Sequence, residues 1–158
     1  MAITVIAAGI TIEGDLTSDD EVRDLLRSVK SIALIGASPK PWRDSNGIMA
    51  MLLDAGYDVV PVNPNYPSVH GRRCFPDLAS LPSRVDLVNV FRNPAGLRPL
   101  VDEVVRESLG VVWFQPGASD EDGVRYALRA GVRVVADRCI AVDHRRLRHG
   151  SAVRERRA

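Results

Sequence analysis

Short apolar runs and helical patterns alternate along most of the chain. Each apolar run is rich in β-branched residues and ends at a turn signal, which is typical of a strand buried in a parallel sheet. The five predicted strands are Ile32–Ile35, Tyr57–Val62, Val85–Phe91, Val111–Phe114 and Val132–Ala136. Between them, apolar residues at helical spacing predict helices of about ten residues. The pattern therefore predicts an α/β protein, with an open parallel sheet of about five strands and helices on both faces.

The two ends of the chain differ from this pattern. Residues 3–7 and 10–12 are apolar and β-prone, and predict a short strand or hairpin that is added to a sheet edge or to a partner subunit. Ser18 and Glu21 form a capping-box pattern that begins the first helix. The segment from residue 144 to 158 has six arginines and one glutamate, which predicts a solvated end or a basic arm. The predicted division is an N-terminal extension (1–17), one domain (18–147) and a basic tail (148–158).

The composition narrows the class of protein. A chain of 158 residues fits one domain, and 21 lysines and arginines against 20 acidic residues give a formal charge of +1. This balance argues against nucleic acid or a membrane surface as the main partner. Cys74 and Cys139 lie far apart and show no metal-ligand spacing, so we expect no metal site. The N-terminus lacks the pattern of a secretory signal, and free thiols fit a reducing, cytoplasmic setting.

The stretch from Ser31 to Gly47 is the strongest candidate for chemistry. It reads as a buried strand, a turn at Gly36 and the start of a helix, an arrangement that presents free backbone N–H groups to a phosphate. Lys40 and Arg43 add positive charge at the same place. The candidate ligand residues of this stretch are Gly36, Ala37, Ser38, Pro39, Lys40, Arg43 and Asn46.

The other strands end in residues of a similar kind. Ligands of open parallel sheets bind outside the carboxyl ends of the strands. Five strand ends that bring small residues, amides, two arginines and a thiol to one edge favour a ligand site there, although such residues are also common in ordinary loops. The further candidates are Asn63, Pro64, Phe91, Arg92, Trp113, Gln115, Pro116, Gly117, Arg138 and Cys139.

The loop chemistry selects among nucleotide ligands. The first strand is not followed by the G-x-G-x-x-G pattern, and Asn63 stands where an NAD-binding domain would place an acid for the ribose. No G-K-[ST] pattern is present, which disfavours a P-loop nucleotidase. A glycine turn, a lysine and a helix N-terminus still favour a ligand with phosphate groups.

These strand-end motifs together resemble those of the small CoA-binding protein family. The motifs are G-A-S-P-K-P, V-P-V-N-P, V-F-R-N-P, V-V-W-F-Q-P-G and D-R-C, in the same order and spacing over roughly residues 20–147. That family is related to the N-terminal domain of the succinyl-CoA synthetase α subunit. The resemblance implies a Rossmann-like domain that binds coenzyme A at the carboxyl ends of the strands.

The resemblance also implies a place for each part of coenzyme A. The pyrophosphate would lie at Gly36, Ala37, Ser38 and Lys40. The adenosine would lie near Asn63 and Pro64, bordered by Phe91 and Arg92. The pantetheine arm would pass toward Trp113, Gln115, Pro116 and Gly117. The synthetases use a phosphorylated histidine from a further domain, and His70, His144 and His149 match no such motif.

Several of these residues have a structural reading as well. Lys40 and Arg43 are either phosphate ligands or solvated loop charges. Trp113 either contacts the ligand or belongs to the core. Arg138 either borders the ligand or pairs with Asp137 or the last helix. Cys139 is either a packed apolar residue or a thiolate favoured by its neighbour Arg138, whereas Cys74 has no evident role.

Three functions follow from this reading. The first is a non-catalytic protein that binds coenzyme A or an acyl-CoA as a sensor, carrier or regulator, with a homo-oligomer or a partner protein left open. The second is an enzyme subunit that acts on CoA thioesters or another nucleotide with catalytic groups supplied by a partner. The third is a structural subunit with a vestigial pocket. No catalytic triad, carboxylate pair or metal cluster is identifiable at a motif spacing, which favours the first.

Overall fold

The computed structural model describes the backbone of residues 3–6, 9–12 and 14–155 and the side chains of residues 14–148. A five-stranded parallel sheet forms its centre, as the sequence predicts. Its strands are β3 (Ser31–Ile35), β4 (Asp58–Val62), β7 (Leu87–Val90), β8 (Val111–Phe114) and β9 (Arg133–Ala136). Two antiparallel pairs accompany it, β1 (Ile3–Ile6) with β2 (Gly9–Ile12) and β5 (Ser68–Val69) with β6 (Arg72–Arg73).

The strand order of the central sheet is β4-β3-β7-β8-β9. The chain leaves β3 toward β4 on one side, then crosses back to β7 on the other side of β3. The connections after β3 and β7 therefore diverge at adjacent strand ends, and ligands of open α/β sheets bind at such a reversal. The predicted Rossmann-like α/β fold is confirmed, and the order identifies the ends of β3 and β7 as the centre of the carboxyl edge.

Helices cover both faces of the sheet. They are α1 (Asp19–Ser28), α2 (Asp44–Asp54), α3 (Leu97–Arg106, preceded by a 3₁₀ turn at Pro94–Gly96), α4 (Glu121–Arg129) and α5 (Ile140–Glu155). Ile32 and Leu34 of β3 face the core beneath α1, α2 and α5, whereas Ala33 and Ile35 face the core beneath α3 and α4. Both faces are buried, which explains why the central strands read as continuous apolar runs. No helix in the described part of the chain is long and apolar enough to cross a membrane.

The structure adds local features that the apolar patterns do not predict. The region after residue 67 contains the small β5–β6 pair. Asp120 caps α4, because its side chain accepts the N–H of Gly123. The capping box of Ser18 and Glu21 at α1 is confirmed.

The N-terminal extension and the arginine-rich end also acquire structure. β1 and β2 pair with each other as a separate hairpin. Residues 14–16 then run beside β9, where Leu16 N–H donates to the Val134 carbonyl at 2.8 Å. The predicted solvated end is helical as far as Glu155, because Leu147 is buried and Arg146 bonds Asp19 of α1. Residues 156–158 lie outside the described residues.

Four charged side chains join α5 to α1, and we call them the α1–α5 ion-pair cluster: Asp19, Arg138, Asp143 and Arg146. Arg138 donates to Asp19 at 2.7 Å and to Asp143 at 2.6 Å, and Arg146 donates to both oxygens of Asp19 at 2.7 Å. Hydrogen bonds from Arg146 and Arg138 hold the pKa of Asp19 well below its usual value. The cluster fixes the start of α5 relative to α1.

Asp19 should make stability depend on acid pH. Because its pKa is lowered in the folded state, its contribution is present above the usual carboxyl pKa and is lost as pH falls toward the lowered value. We expect Asp19→Asn to reduce the unfolding free energy at about pH 7 and to have a clearly smaller effect near pH 2, as measured by urea unfolding. Asp24→Asn, at an exposed position of the same helix, is the control. Equal losses for the two variants at neutral pH would contradict the prediction.

Candidate functional site

The turn after β3 depends on a glycine at position 36. Gly36 has φ of +84°, and a Cβ there would lie 3.4 Å from Cβ of Phe91, at the end of the neighbouring strand β7. Its N–H donates to the Val62 carbonyl at the end of β4, at 3.0 Å. Glycine therefore serves both the backbone conformation and the close approach of β7.

Two side-chain amides hold the loop that follows. Asn63 Nδ2 donates to the Ala37 carbonyl at 2.8 Å, and Asn46 Nδ2 donates to the Ser38 carbonyl at 2.9 Å. The Lys40 N–H donates to Ser38 Oγ at 3.2 Å. In the part of the chain that the structure describes, the N–H groups of Ala37 and Ser38 have no protein acceptor. The Ala37 and Ser38 carbonyls are thus satisfied within the protein, and the N–H groups of the same two residues remain for a ligand.

The loop leads directly into the N-terminus of α2. Arg43 is the N-cap residue of this 11-residue helix and makes no side-chain cap. The Asn46 N–H donates to the Arg43 carbonyl at 3.0 Å, which leaves the N–H groups of Asp44 and Ser45 in the first turn for a ligand. The guanidinium of Arg43 is exposed beside them. A helix N-terminus, free loop amides and a mobile cation meet here, which is a favourable setting for an anion.

A cavity of about 470 Å³ opens above this loop, and we call it the loop cavity. Most of its surface is polar. It is lined by Gly36, Ser38, Trp42, Arg43, Asp44, Ser45, Asn63, Asn65, Tyr66 and Phe91.

A second cavity of about 550 Å³ lies between α2 and the start of α5, and we call it the α2–α5 cavity. It is lined by Pro41, Trp42, Arg43, Asp44, Gly47, Ile48, Met51, Phe91, Gln115, Pro116, Cys139, Ala141 and Arg145. The two cavities share Trp42, Arg43, Asp44 and Phe91, so they form adjoining halves of one groove along the carboxyl edge. One half is mainly polar, and the other adds the apolar side chains of Ile48 and Met51.

A buried pair of carboxamides lies next to the α2–α5 cavity. Gln115 Nε2 donates to Asn89 Oδ1 at 2.7 Å, and the two residues are 3% and 0% exposed. Within the described residues, Asn89 Nδ2 and Gln115 Oε1 have no hydrogen-bond partner. A buried polar group without a partner costs free energy, so this pair has unused capacity for one donor and one acceptor of a ligand.

The groove brings together about half of the predicted ligand residues. The loop cavity or the α2–α5 cavity is lined by Gly36, Ser38, Arg43, Asn63, Phe91, Gln115, Pro116 and Cys139. Asn46 and Ala37 belong to the loop hydrogen bonds described above. The remaining surface candidates line neither of these two cavities: Pro39, Lys40, Pro64, Arg92 and Gly117. The Lys40 ammonium lies 5.9 Å from the centroid of the exposed Trp42 ring.

Two predicted ligand residues belong instead to the frame of the site. Trp113 is fully buried in the core beneath α1, α2 and α5, and its indole N–H donates to the Arg138 carbonyl at 2.7 Å. The Arg138 guanidinium is bound by Asp19, Asp143 and the Thr17 carbonyl. Core packing and the ion-pair cluster therefore account for both residues, and the Arg138 guanidinium is not a free cation beside Cys139.

The two cysteines differ in their surroundings. Cys139 is partly exposed in the wall of the α2–α5 cavity, where Arg145 is also present. Cys74 is buried, and burial raises the pKa of its thiol. The described residues contain no group of three His, Cys, Asp or Glu side chains that could hold a metal ion.

Sequence reasoning misses several residues of the groove. Trp42 is 76% exposed at the junction of the two cavities. A large aromatic residue in a polar loop is a signal that could have found it. Asn89 is a lone amide inside the apolar run Leu87–Val90, which is also an available signal. Met51 and Arg145 carry no such signal, because helix packing alone brings them to the groove.

A larger cavity, of about 650 Å³, lies at the opposite end of the sheet. Lys30 and Asp58, which directly precede or begin strands, contribute to its lining together with Tyr57 and His144. None of the strand-end candidates lines it. Size alone therefore does not identify the functional site, whereas the position of the groove at the strand reversal does.

Comparison with known proteins gives relatives of similar size. Residues 30–145 match the CoA binding domain family model. The uncharacterized protein YneT of Bacillus subtilis is 32% identical over 127 residues, which cover 80% of this chain and 94% of that protein. A solved structure of a hypothetical protein from Pyrococcus horikoshii is 38% identical, with a TM-score of 0.80, and the match covers 93% of this chain and 99% of that one.

Larger enzymes contain a related segment. The ADP-forming acetate–CoA ligase I of Archaeoglobus fulgidus is 32% identical over 124 residues, which are 72% of this chain and 18% of the ligase. The chain thus spans about a fifth of that enzyme. The match of the family model over the whole central sheet, together with the small relatives of nearly equal length, shows that this chain belongs to the CoA-binding domain family.

Proposed function

We propose that this protein binds coenzyme A, free or acylated, in the groove formed by the loop cavity and the α2–α5 cavity. The observation that supports this most strongly is the division of one groove into a polar half at a helix N-terminus and a half with apolar walls and buried amides. Coenzyme A has the matching division, with phosphates and a nucleoside at one end and a pantetheine arm at the other. Membership of the CoA-binding domain family supports the same ligand.

In this proposal the phosphates lie at the loop after β3. The N–H groups of Ala37 and Ser38 and the first turn of α2 donate to the phosphate oxygens, and Arg43 adds a charge-assisted contact. The nucleoside lies toward Asn63 and Tyr66, which line the far side of the loop cavity. Trp42, at the junction, offers an exposed aromatic face.

The pantetheine arm occupies the α2–α5 cavity. Ile48, Met51 and Phe91 supply apolar contacts to its methylene groups and geminal methyls. Gln115 and Asn89 supply the unused acceptor and donor for an amide of the arm. This order places the sulfur end of the ligand on the side of the cavity where Cys139 and Arg145 lie.

The role we favour is non-catalytic, as a sensor, carrier or regulatory subunit. It rests on the lack, among the side chains described, of a nucleophile paired with a base at the groove. A second candidate is a subunit that presents coenzyme A to a catalytic partner, and the ligases that contain a related segment favour it. Turnover of acyl-CoA by the purified protein alone would contradict both.

The first test is calorimetric titration with coenzyme A and with NAD. We expect coenzyme A to bind more tightly, because Asn63 replaces the acid that would hold an NAD ribose and because the second half of the groove has apolar walls. Acetyl-CoA in a third titration measures the preference for acylated ligand. Equal or tighter binding of NAD would reject the proposed ligand.

Arg43 should contribute more to binding than Lys40. Arg43 lines both cavities, so Arg43→Ala should weaken binding by roughly 1–2 kcal/mol at low salt, the range of one charge-assisted contact near the surface. The loss should shrink as salt rises, because exposed charges are screened. Lys40→Ala should lose less, and Arg129→Ala, exposed on α4 across the sheet, should bind as the wild type does. A larger effect of Lys40→Ala than of Arg43→Ala would show that the phosphates lie outside the loop cavity.

Trp42 should report binding by fluorescence. Of the two tryptophans, Trp113 is fully buried and its indole N–H is already bonded, whereas Trp42 is 76% exposed at the groove. We expect coenzyme A to change the emission of the wild-type protein and to leave the emission of Trp42→Phe nearly unchanged. A full response in Trp42→Phe would place the ligand away from the junction of the cavities.

A further inference from the structure

Cys139 occupies an unusual position in the groove. It lies between the end of β9 and Ile140, the first residue of α5, and contributes to the wall of the α2–α5 cavity. The residue before it is fixed twice, because Trp113 bonds the Arg138 carbonyl and the ion-pair cluster holds the Arg138 guanidinium. The thiol is therefore presented to the cavity from a well-anchored segment.

A second feature of the same cavity indicates a ligand independently of the thiol. Gln115 lines the cavity, is 3% exposed, and has an Oε1 atom without a partner in the described structure. Its hydrogen-bond partner Asn89 is fully buried, does not itself line the cavity, and leaves a donor unused within the described residues. Exchanging the oxygen and nitrogen of both side-chain amides would still leave one donor and one acceptor open. An amide group of a ligand satisfies both.

We propose that Cys139 forms a mixed disulfide with coenzyme A whose pantetheine arm is held in the α2–α5 cavity by Gln115 and Asn89. The proposal rests on the proposed function, since the arm must enter this cavity before the two sulfurs can meet. It assigns to the site a reversible covalent state in addition to simple binding. The ligand class is a pantetheine thiol or its disulfide.

The reaction is thiol–disulfide exchange and needs no other oxidant. The Cys139 thiolate attacks one sulfur of the symmetrical disulfide of coenzyme A, and the bond between the two ligand sulfurs breaks. A bond forms between Cys139 Sγ and the attacked sulfur, and the other half leaves as a thiolate that takes up a proton. Cys139 is oxidised and the released coenzyme A is reduced, and a free thiol reverses the step.

Cys74 provides an internal comparison. It is 8% exposed, and burial raises the pKa of its thiol. A bulky disulfide therefore has little access to this thiol, and burial disfavours its thiolate form. Binding of the ligand in the α2–α5 cavity brings the disulfide to Cys139 alone.

The test compares the rates of adduct formation with coenzyme A disulfide and with oxidised glutathione. Intact-mass analysis and peptide mapping are applied to the wild type, Cys74→Ser, Cys139→Ser and Gln115→Leu. We expect one coenzyme A adduct at Cys139 in the wild type and Cys74→Ser, and none in Cys139→Ser. The rate with coenzyme A disulfide should exceed that with oxidised glutathione by about tenfold or more, because bound reactants react faster than free ones. Gln115→Leu should reduce only the rate with coenzyme A disulfide.

The outcomes separate this proposal from the proposed function. Modification mainly at Cys74, or equal rates with the two disulfides, would overturn it. Calorimetry of Cys139→Ser with coenzyme A gives the second measurement. If that variant binds coenzyme A while the wild type forms no adduct, the disulfide proposal fails and the binding proposal stands. If neither binding nor adduct is observed, both fail. Cys139→Ala, checked by circular dichroism, replaces Cys139→Ser if the serine variant does not fold.

Discussion

The hydrogen bond from the Asn63 side chain to the Ala37 carbonyl is the contact on which the site depends. It joins the ends of β4 and β3, and Asn46 holds the next carbonyl from the first turn of α2. With both carbonyls turned to the protein, the N–H groups of the loop are left for a ligand. An acid at position 63 could accept hydrogen bonds but could not donate to a carbonyl. Asn63, whose presence in the sequence argues against NAD binding, therefore also stabilises the conformation of the loop after β3.

The frame of the site is linked to the packing of α5. Trp113 reaches from the core to the Arg138 carbonyl, and the Arg138 guanidinium reaches across to Asp19 of α1. The buried Trp113 thus holds the backbone of Arg138, and the ion pair holds its side chain. Cys139 follows directly and closes the groove. Trp113, Arg138 and Asp19, which do not line the cavity, therefore help to set the position of the cavity wall at Cys139.

The sequence predicts the fold well because the central strands are buried on both faces and read as unbroken apolar runs. The loop after β3 is predictable for a similar reason, since Gly36 and the helix start are local signals. The structural roles of Trp113 and Arg138 are not predictable in this way. A residue at the end of a strand has the same place in the sequence pattern whether its side chain faces the ligand or the core. The packing of the helices against the sheet decides which way such a side chain faces. The same packing brings Met51 and Arg145 to the groove. The arginine-rich composition does not predict the helical end of α5, which is stabilised by the buried side chain of Leu147 and by the ion pair of Arg146 with Asp19.

The two halves of the groove discriminate between ligands by desolvation. A dinucleotide that places its phosphates at the loop must put a second ribose and ring into the α2–α5 cavity, beside Ile48 and Met51. The sugar hydroxyls would lose water beside this apolar wall, where Gln115 offers one unused acceptor, and each unpaired hydroxyl costs free energy. A pantetheine arm has methylene and methyl groups for the apolar wall and amides for the buried pair. In this proposal, discrimination between a dinucleotide and coenzyme A depends on matching a few buried polar atoms. Gln115 and Asn89 contribute to this discrimination as much as the loop that binds the phosphates.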